Sequence, residues 1–145
     1  MPVSLVIPAF NESTAIASVV TEHHEALSRL VKEFEIIVVD DGSSDDTASA
    51  VDPAKARVLR HPANGGYGKS LRTGIEAARH DWVLMTDADG SYPVDEAMRL
   101  LEHAPNFDLI IGARQGVHFW GSHLKTILRM IYLRCASFVV GERVP

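Results

Sequence analysis

Residues 35–47 read EIIVVDDGSSDDT. A short apolar run, Glu35 to Val39, stops abruptly at two aspartates and a cluster of Gly, Ser and Asp. That is the pattern of a strand buried on both faces, closed by a turn that leads into a short helix. Working outward, VSLVI (Val3 to Ile7) repeats the pattern and is closed by Pro8. Between these strands Asn11 and Ser13 offer helix-capping side chains, and Ile16, Val19, Val20, Leu27, Leu30, Val31 and Phe34 recur at helical spacing. On the other side ARVLR (Ala56 to Arg60) reads as a third strand, followed by NGGYGKS (Asn64 to Ser70) and a helix through LRTGIEAA. WVLMT (Trp82 to Thr86) is a fourth strand ending in DADGSYP; Pro93 opens the next helix at its first position, with Ala97, Leu100 and Leu101 facing inward. FDLIIGAR (Phe107 to Arg114) reads as a fifth strand.

Near-continuous apolar strands alternating with helices predict an α/β domain whose mostly parallel sheet is covered on both faces. Ligands of such sheets sit beyond the carboxyl ends of the strands. The polar material of this chain collects there, as PAFNE, DDGSSDDT, DADGSYP and GAR. Four such ends on one rim point to a composite site.

The bulk numbers fit one domain. The chain has 145 residues, 46% apolar and 23% charged, an ordinary composition for a soluble domain with a core. Cys135 is the single cysteine, which excludes an internal disulfide and a thiolate metal cluster and fits a reducing compartment. The start MPVSLVIPAF lacks the form of a signal peptide, and no uncharged run reaches the ~18 residues of a membrane span.

Charge is unevenly spread. Residues 1–113 hold nine Lys/Arg against eighteen Asp/Glu, whereas residues 114–145 hold five against one. In HLKTILRMIYLRCASFVV, Leu124, Ile127, Leu128, Ile131, Tyr132, Cys135, Phe138 and Val139 share one side of a helical wheel, with Lys125, Arg129 and Arg134 elsewhere and Leu133 and Val140 breaking the polar face. A basic amphipathic helix suits an anionic membrane surface. A solvated helix, or one packed on its own domain or a partner, accounts for the pattern equally.

NGGYGKS resembles the end of a phosphate-binding P-loop, but G-x-x-x-x-G-K-[ST] requires a glycine where Ala63 stands. The dinucleotide fingerprint also fails, because Leu71 occupies its third glycine position. The three glycines still permit positive φ and close approach of a ligand, and Lys69 falls near a helix N-terminus that favours anions. A loose connection with a solvent-exposed lysine is the plainer alternative.

Asp87 and Asp89, two carboxylates at i and i+2 beyond a strand, can turn towards one hard divalent cation. Asp41 and Asp45 read as turn and cap residues bonding to their own backbone, while Asp40, nearest the strand, can accept from a base imide or ribose hydroxyl. The seven histidines show no metal-binding spacing and read as structural or exposed. Ser43, Ser44 and Ser70 lie in no nucleophile elbow, which argues against a serine hydrolase.

Taken in order, VIPAFNE, IIVVDDGSSDDT, NGGYGKSLRTGIEAA, VLMTDADGSYP and DLIIGAR resemble the family 2 inverting glycosyltransferases, over roughly residues 3–114. The nearest subgroup is that of polyprenyl-phosphate sugar transferases of the dolichyl-phosphate mannose synthase type. The resemblance implies a three-layer, Rossmann-like GT-A fold: a nucleotide-sugar-binding core over 1–115 and a basic amphipathic tail helix over 116–145. It implies that Pro8, Phe10 and Glu12 hold the nucleoside, and that Val38 and Asp40 contact base and ribose. Asp87 and Asp89, with Ala88 between them, would carry Mg²⁺ or Mn²⁺ and the diphosphate. Arg114 would face phosphate, and Gly66, Gly68 and Lys69 would help wall the pocket. Two departures stand out. Ser91 occupies a position where the subgroup often has a glutamine metal ligand, and the sequence stops at GERVP, where the family continues with a segment lining the acceptor site.

The implied activity is inverting transfer of a sugar from a UDP- or GDP-sugar to a polyprenyl phosphate. A sugar hydroxyl needs a general base to attack. A phosphate monoester, with its second pKa near ~6, is already an anionic nucleophile at pH 7. Transfer to a glycan hydroxyl is one alternative; a non-catalytic nucleotide-sugar-binding fragment, completed by a partner chain or in a homodimer, is another. The expected location is cytoplasmic, peripheral at the inner face of the membrane, and no nucleic-acid partner is expected.

Overall fold

All seven residues of VSLVIPA are buried, and this run, β1 (Val3–Ala9), forms the middle of a sheet. The computed structural model describes residues 1–112. After β1 come α1 (Ile16–Leu30), β2 (Phe34–Asp40), β3 (Arg57–Arg60), α2 (Tyr67–Ala77), β4 (Trp82–Met85) and α3 (Val94–His103), which runs into a single 3₁₀ turn at Ala104–Asn106. The strands lie in the order β3-β2-β1-β4 and every pairing is parallel. Val3 is level with Phe34 on one side and Trp82 on the other.

Alternation along the strands separates two layers of helix. Val3, Leu5, Ile7 and Ala9 join Ile36, Val38 and Leu84 in one apolar cluster with Ile16, Val19, Val20 and Leu27 of α1 and Ala97 and Met98 of α3. On the opposite face, Gly74 of α2 sits so close to Val6 and Val39 that a Cβ there would collide with Val6 Cγ1. The absent side chain lets α2 lie directly on β1 and β2. Helices on both faces of a parallel sheet make the three-layer arrangement that the apolar runs predict.

Several local readings change. Phe34 opens β2 instead of closing α1, and Leu30 is exposed. The short helix expected after DDGSSDDT is a single turn, with Ala50 N–H donating to the Asp46 carbonyl at 2.9 Å. Pro93 is the N-cap of α3, one place ahead of the expected first helical position; Ala97 and Met98 are buried, while Leu100 and Leu101 are half-buried. Residues 107–112 form no strand, and Phe107, Leu109 and Ile111 are exposed. An apolar run becomes a strand only against a neighbour that accepts its ladder of hydrogen bonds, and the described part of this segment has none. Residues 113–145, including Arg114 and the expected tail helix, lie outside the described residues. Among the described residues no helix is long and apolar enough to cross a membrane.

His23 sits inside the α1 layer, 2% exposed. Its Nδ1–H donates to the Val19 carbonyl at 2.8 Å, and its Nε2 is buried without a hydrogen-bond partner. Protonating Nε2 would bury a new N–H with no acceptor, so burial pushes the ring's pKa below its ordinary 6.5, outweighing the Val19 bond and the Glu22 charge that favour protonation. The unfolded chain therefore takes up a proton near 6.5 that the folded chain takes only at lower pH. Stability from this site is full above that pH and declines as pH falls through it. Urea unfolding between pH 5 and 7 should show a steeper pH slope for the wild type than for His23→Leu; equal slopes would remove His23 from the account.

Candidate functional site

The loop after β1 and the loop after β2 are tied together. Asn11, Glu12 and Ser13 precede α1, and their N–H groups donate to Ser43 Oγ (2.9 Å), Thr47 Oγ1 (2.8 Å) and Asp45 Oδ2 (3.2 Å). Asn11, at φ 56°, returns its side-chain oxygen to the Ser44 N–H at 2.9 Å. The residue capping α1 is Ala15, without a side-chain bond, so Asn11 and Ser13 brace two loops instead of capping the helix expected of them. Asp45 also accepts from the Thr47 hydroxyl and N–H; these bonds and those from Ser13 hold its carboxyl down at about 2 against the smaller opposing effect of burial. The brace holds the backbone on either side of Glu12, which with Phe10 faces the rim of the sheet.

A second tie holds the glycine-rich segment. Asp41 is 3% exposed, and its carboxylate accepts from His61 Nδ1–H (2.6 Å), Gly65 N–H (3.0 Å) and Gly66 N–H (2.7 Å). Burial raises the carboxyl's pKa, but the His61, Gly65 and Gly66 bonds outweigh it and bring the group to about 2. With Nδ1–H committed to Asp41, His61 Nε2 faces the Thr73 hydroxyl at 3.0 Å on α2. Gly66 is the N-cap of α2 at φ 91°, a conformation that needs glycine. The turn role expected of Asp41 is thus replaced: it anchors a segment 24 residues away, and that segment is no loose connection.

The anchored helix begins at Tyr67, whose hydroxyl donates to Asp87 Oδ1 at 3.0 Å. Asp87 and Asp89 follow β4, while Ala88 between them is buried in the core. Asp89 Oδ1 accepts the Ser91 N–H at 2.8 Å. Pro8, Phe10, Glu12, Tyr67, Asp87, Ala88 and Asp89 together line one open cleft of about 240 Å³ beyond the carboxyl ends of β1 and β4. Partial burial, together with the Asp87 carboxylate, raises the Tyr67 phenol to about 12, so it remains a hydrogen-bond donor at neutral pH.

Six of the residues singled out in sequence therefore meet in one place. Others do not. Val38 is fully buried among core side chains and has no exposed side chain to offer a ligand. Asp40 is also fully buried; its Oδ1 accepts the Ser43 N–H at 3.0 Å, and its Oδ2 faces the Arg60 guanidinium at 3.0 Å without an aligned hydrogen bond. It lies by a second depression of about 360 Å³, lined by Gly42, Ser43, Arg60, His61 and Pro62. Gly66 is committed to Asp41, Gly68 is exposed, and the exposed Lys69 side chain passes close to Gly65. From the glycine-rich segment it is Tyr67, absent from the expected site, that reaches the cleft. Ser91 meets Asp89 through its backbone N–H. Arg114 lies outside the described residues.

Among the described residues no three His, Cys, Asp or Glu side chains gather to hold a metal by protein ligands alone. Two adjacent carboxylates are a suitable donor set for a hard divalent cation that keeps water and ligand phosphates in its other positions. The residues present fit such an ion if phosphate accompanies it.

A family model described as glycosyl transferase family 2 matches residues 4–135. The chain is 35% identical over 119 residues to an undecaprenyl-phosphate 4-deoxy-4-formamido-L-arabinose transferase of Pseudomonas fluorescens, covering 77% of this chain and 35% of that one. It is 38% identical over 103 residues to a dolichyl-phosphate beta-glucosyltransferase of Trichomonas vaginalis, covering 64% and 31%. The chain thus spans about a third of the length of these curated relatives. Mannosyl-3-phosphoglycerate synthase of Rubrobacter xylanophilus superimposes with a TM-score of 0.64 at 25% identity, covering 73% of this chain and 36% of that one. Glucosyl-3-phosphoglycerate synthase of Mycobacterium tuberculosis, solved with Mn²⁺, UDP and glucosyl-3-phosphoglycerate, superimposes with a TM-score of 0.59 at 28% identity, covering 72% and 40%.

Proposed function

The chain belongs to glycosyl transferase family 2, and from that premise we propose that it transfers a sugar, with inversion, from a nucleotide-diphosphate sugar to a polyprenyl phosphate. The observation that carries the reading is the cleft that joins Pro8, Phe10 and Glu12 to Asp87, Ala88 and Asp89. Its lining has three carboxylates and no Lys or Arg among the described residues. A diphosphate placed there alone would be repelled. Asp87 and Asp89 would hold Mg²⁺ or Mn²⁺ together with the diphosphate, and Phe10 would offer an apolar surface to the nucleoside. A bound cation supplies electrostatic stabilisation of the departing diphosphate.

The lipid-phosphate acceptor is supported by the relatives, two of which act, by their names, on undecaprenyl phosphate and dolichyl phosphate. It is also supported by chemistry: the acceptor is an anion at neutral pH, so no side chain of the cleft need act as a base. Residues 1–115 would be the nucleotide-sugar core. Residues 116–145 would face the acceptor at a membrane surface, with Arg114 towards phosphate. The protein would then act at the cytoplasmic face of the membrane.

Calorimetry with UDP, GDP and their sugars, with and without Mn²⁺, tests the donor site. Saturable binding that requires the metal is expected. Failure of the folded protein to bind any of these nucleotides with either Mn²⁺ or Mg²⁺ would sink the reading. Radiolabelled transfer to a short polyprenyl phosphate, set against transfer to a glycan hydroxyl, tests the acceptor.

A further inference from the structure

We propose that Tyr67 is a positioning residue for Asp87, and that the Asp41 anchor sets Tyr67 in place; this rests on the donor-site reading above. The two carboxylates beyond β4 are held by different means. Asp89 accepts a bond from its own turn, the Ser91 N–H at 2.8 Å. Asp87 takes its bond from another element, the Tyr67 hydroxyl at 3.0 Å, 20 residues earlier in the chain. A carboxylate on a loop can rotate about its side-chain bonds, and a single directional donor on one oxygen selects one orientation and leaves the second oxygen for a ligand.

Tyr67 can serve in this way because its own position is fixed. It is the first residue of α2, directly after Gly66 at φ 91°. The Gly66 N–H donates to Asp41 at 2.7 Å, and Gly65 donates to the same carboxylate at 3.0 Å. His61, from the end of β3, closes the set by donating to Asp41 and facing Thr73 of α2. The bonds run from the β2 end through the start of α2 to the β4 end. Tyr67 is exposed, so the core does not depend on it.

The test is Tyr67→Phe in the 145-residue chain, which removes one hydroxyl and keeps the ring. Binding of UDP or GDP, whichever binds the wild type more tightly, is measured by calorimetry with and without Mn²⁺, beside the unfolding midpoint. The expected result is about 10-fold weaker Mn²⁺-dependent binding, the lower end of what loss of a residue supporting a metal ligand costs. The unfolding midpoint should be unchanged. In an Asp87→Asn background, Tyr67→Phe should have little further effect, because the partner it orients has already lost its charge. Wild-type Mn²⁺-dependent binding in Tyr67→Phe, or an equal loss in both backgrounds, overturns the inference and leaves the donor site standing. Failure of the folded wild type to bind nucleotide with either metal overturns the donor-site reading and this inference with it.

Discussion

Replacing Asp89 by alanine should lower metal-dependent sugar transfer by about 100- to 1,000-fold, the loss that follows removal of one preorganised group acting on charge in a transition state. Asp89 is exposed, at the rim of the cleft that also holds Asp87 and Glu12. Its removal leaves one carboxylate where two would hold the cation and diphosphate. The change should spare the fold, since substitutions at exposed positions cost at most ~0.5 kcal/mol in most proteins. Initial rates of labelled sugar transfer at saturating acceptor, beside the unfolding midpoint, make the measurement. Asp89→Asn keeps the shape and the acceptor for Ser91 N–H but not the charge, so it should fall nearly as far. An alanine variant that keeps more than half the wild-type rate would remove Asp89 from the site.

The second large effect is on stability. Asp41→Ala should cost about 1–3 kcal/mol, as expected for leaving a buried donor without its acceptor. The substitution strands the buried His61 Nδ1–H, whereas the exposed Gly65 N–H turns to water and the Gly66 N–H keeps Asn64 Oδ1 at 3.1 Å. Urea unfolding at pH 7 should show the midpoint shifted by that amount, and a loss below about 1 kcal/mol would contradict the anchor. Acid provides a second readout. The carboxyl's pKa is about 2 when folded against an ordinary 3.8, so its stabilisation is complete above 3.8 and is lost as pH falls towards 2. The alanine variant should lose less stability than the wild type over that interval.

These two residues also mark what the sequence makes legible. The four observed strands and the acids at their ends are visible because buried parallel strands are written as apolar runs and turns as Asp, Gly and Ser. Asp87 and Asp89 need only their place after WVLMT to be noticed. Asp41 has the same local features as Asp45, and local rules assign both to their own turn. Asp45 does accept from Thr47 two residues on, but Asp41 is taken by His61, Gly65 and Gly66, which reach it only once β3 lies beside β2. Asn11 and Ser13 likewise exchange a capping role for partners more than 30 residues away. Tyr67 could have been found: it is the aromatic side chain inside a glycine cluster that opens a helix at the rim. The fifth strand illustrates the opposite error, since the apolar character of residues 107–111 names no partner.

The order of strands also says when the cleft can come into being. β1 meets β2 after one helix, but its pairing with β4 spans roughly eighty residues of chain, Val3 to Trp82. Closing the longer loop costs more chain entropy, and distant parallel pairings form slowly. Phe10 and Glu12 leave the ribosome early, while Asp87 and Asp89 arrive with the outermost strand. A nascent chain halted before Trp82 carries half a cleft and has nothing with which to grip a metal-bound diphosphate. Nucleotide retention by ribosome-bound chains would therefore time-stamp the docking of β4.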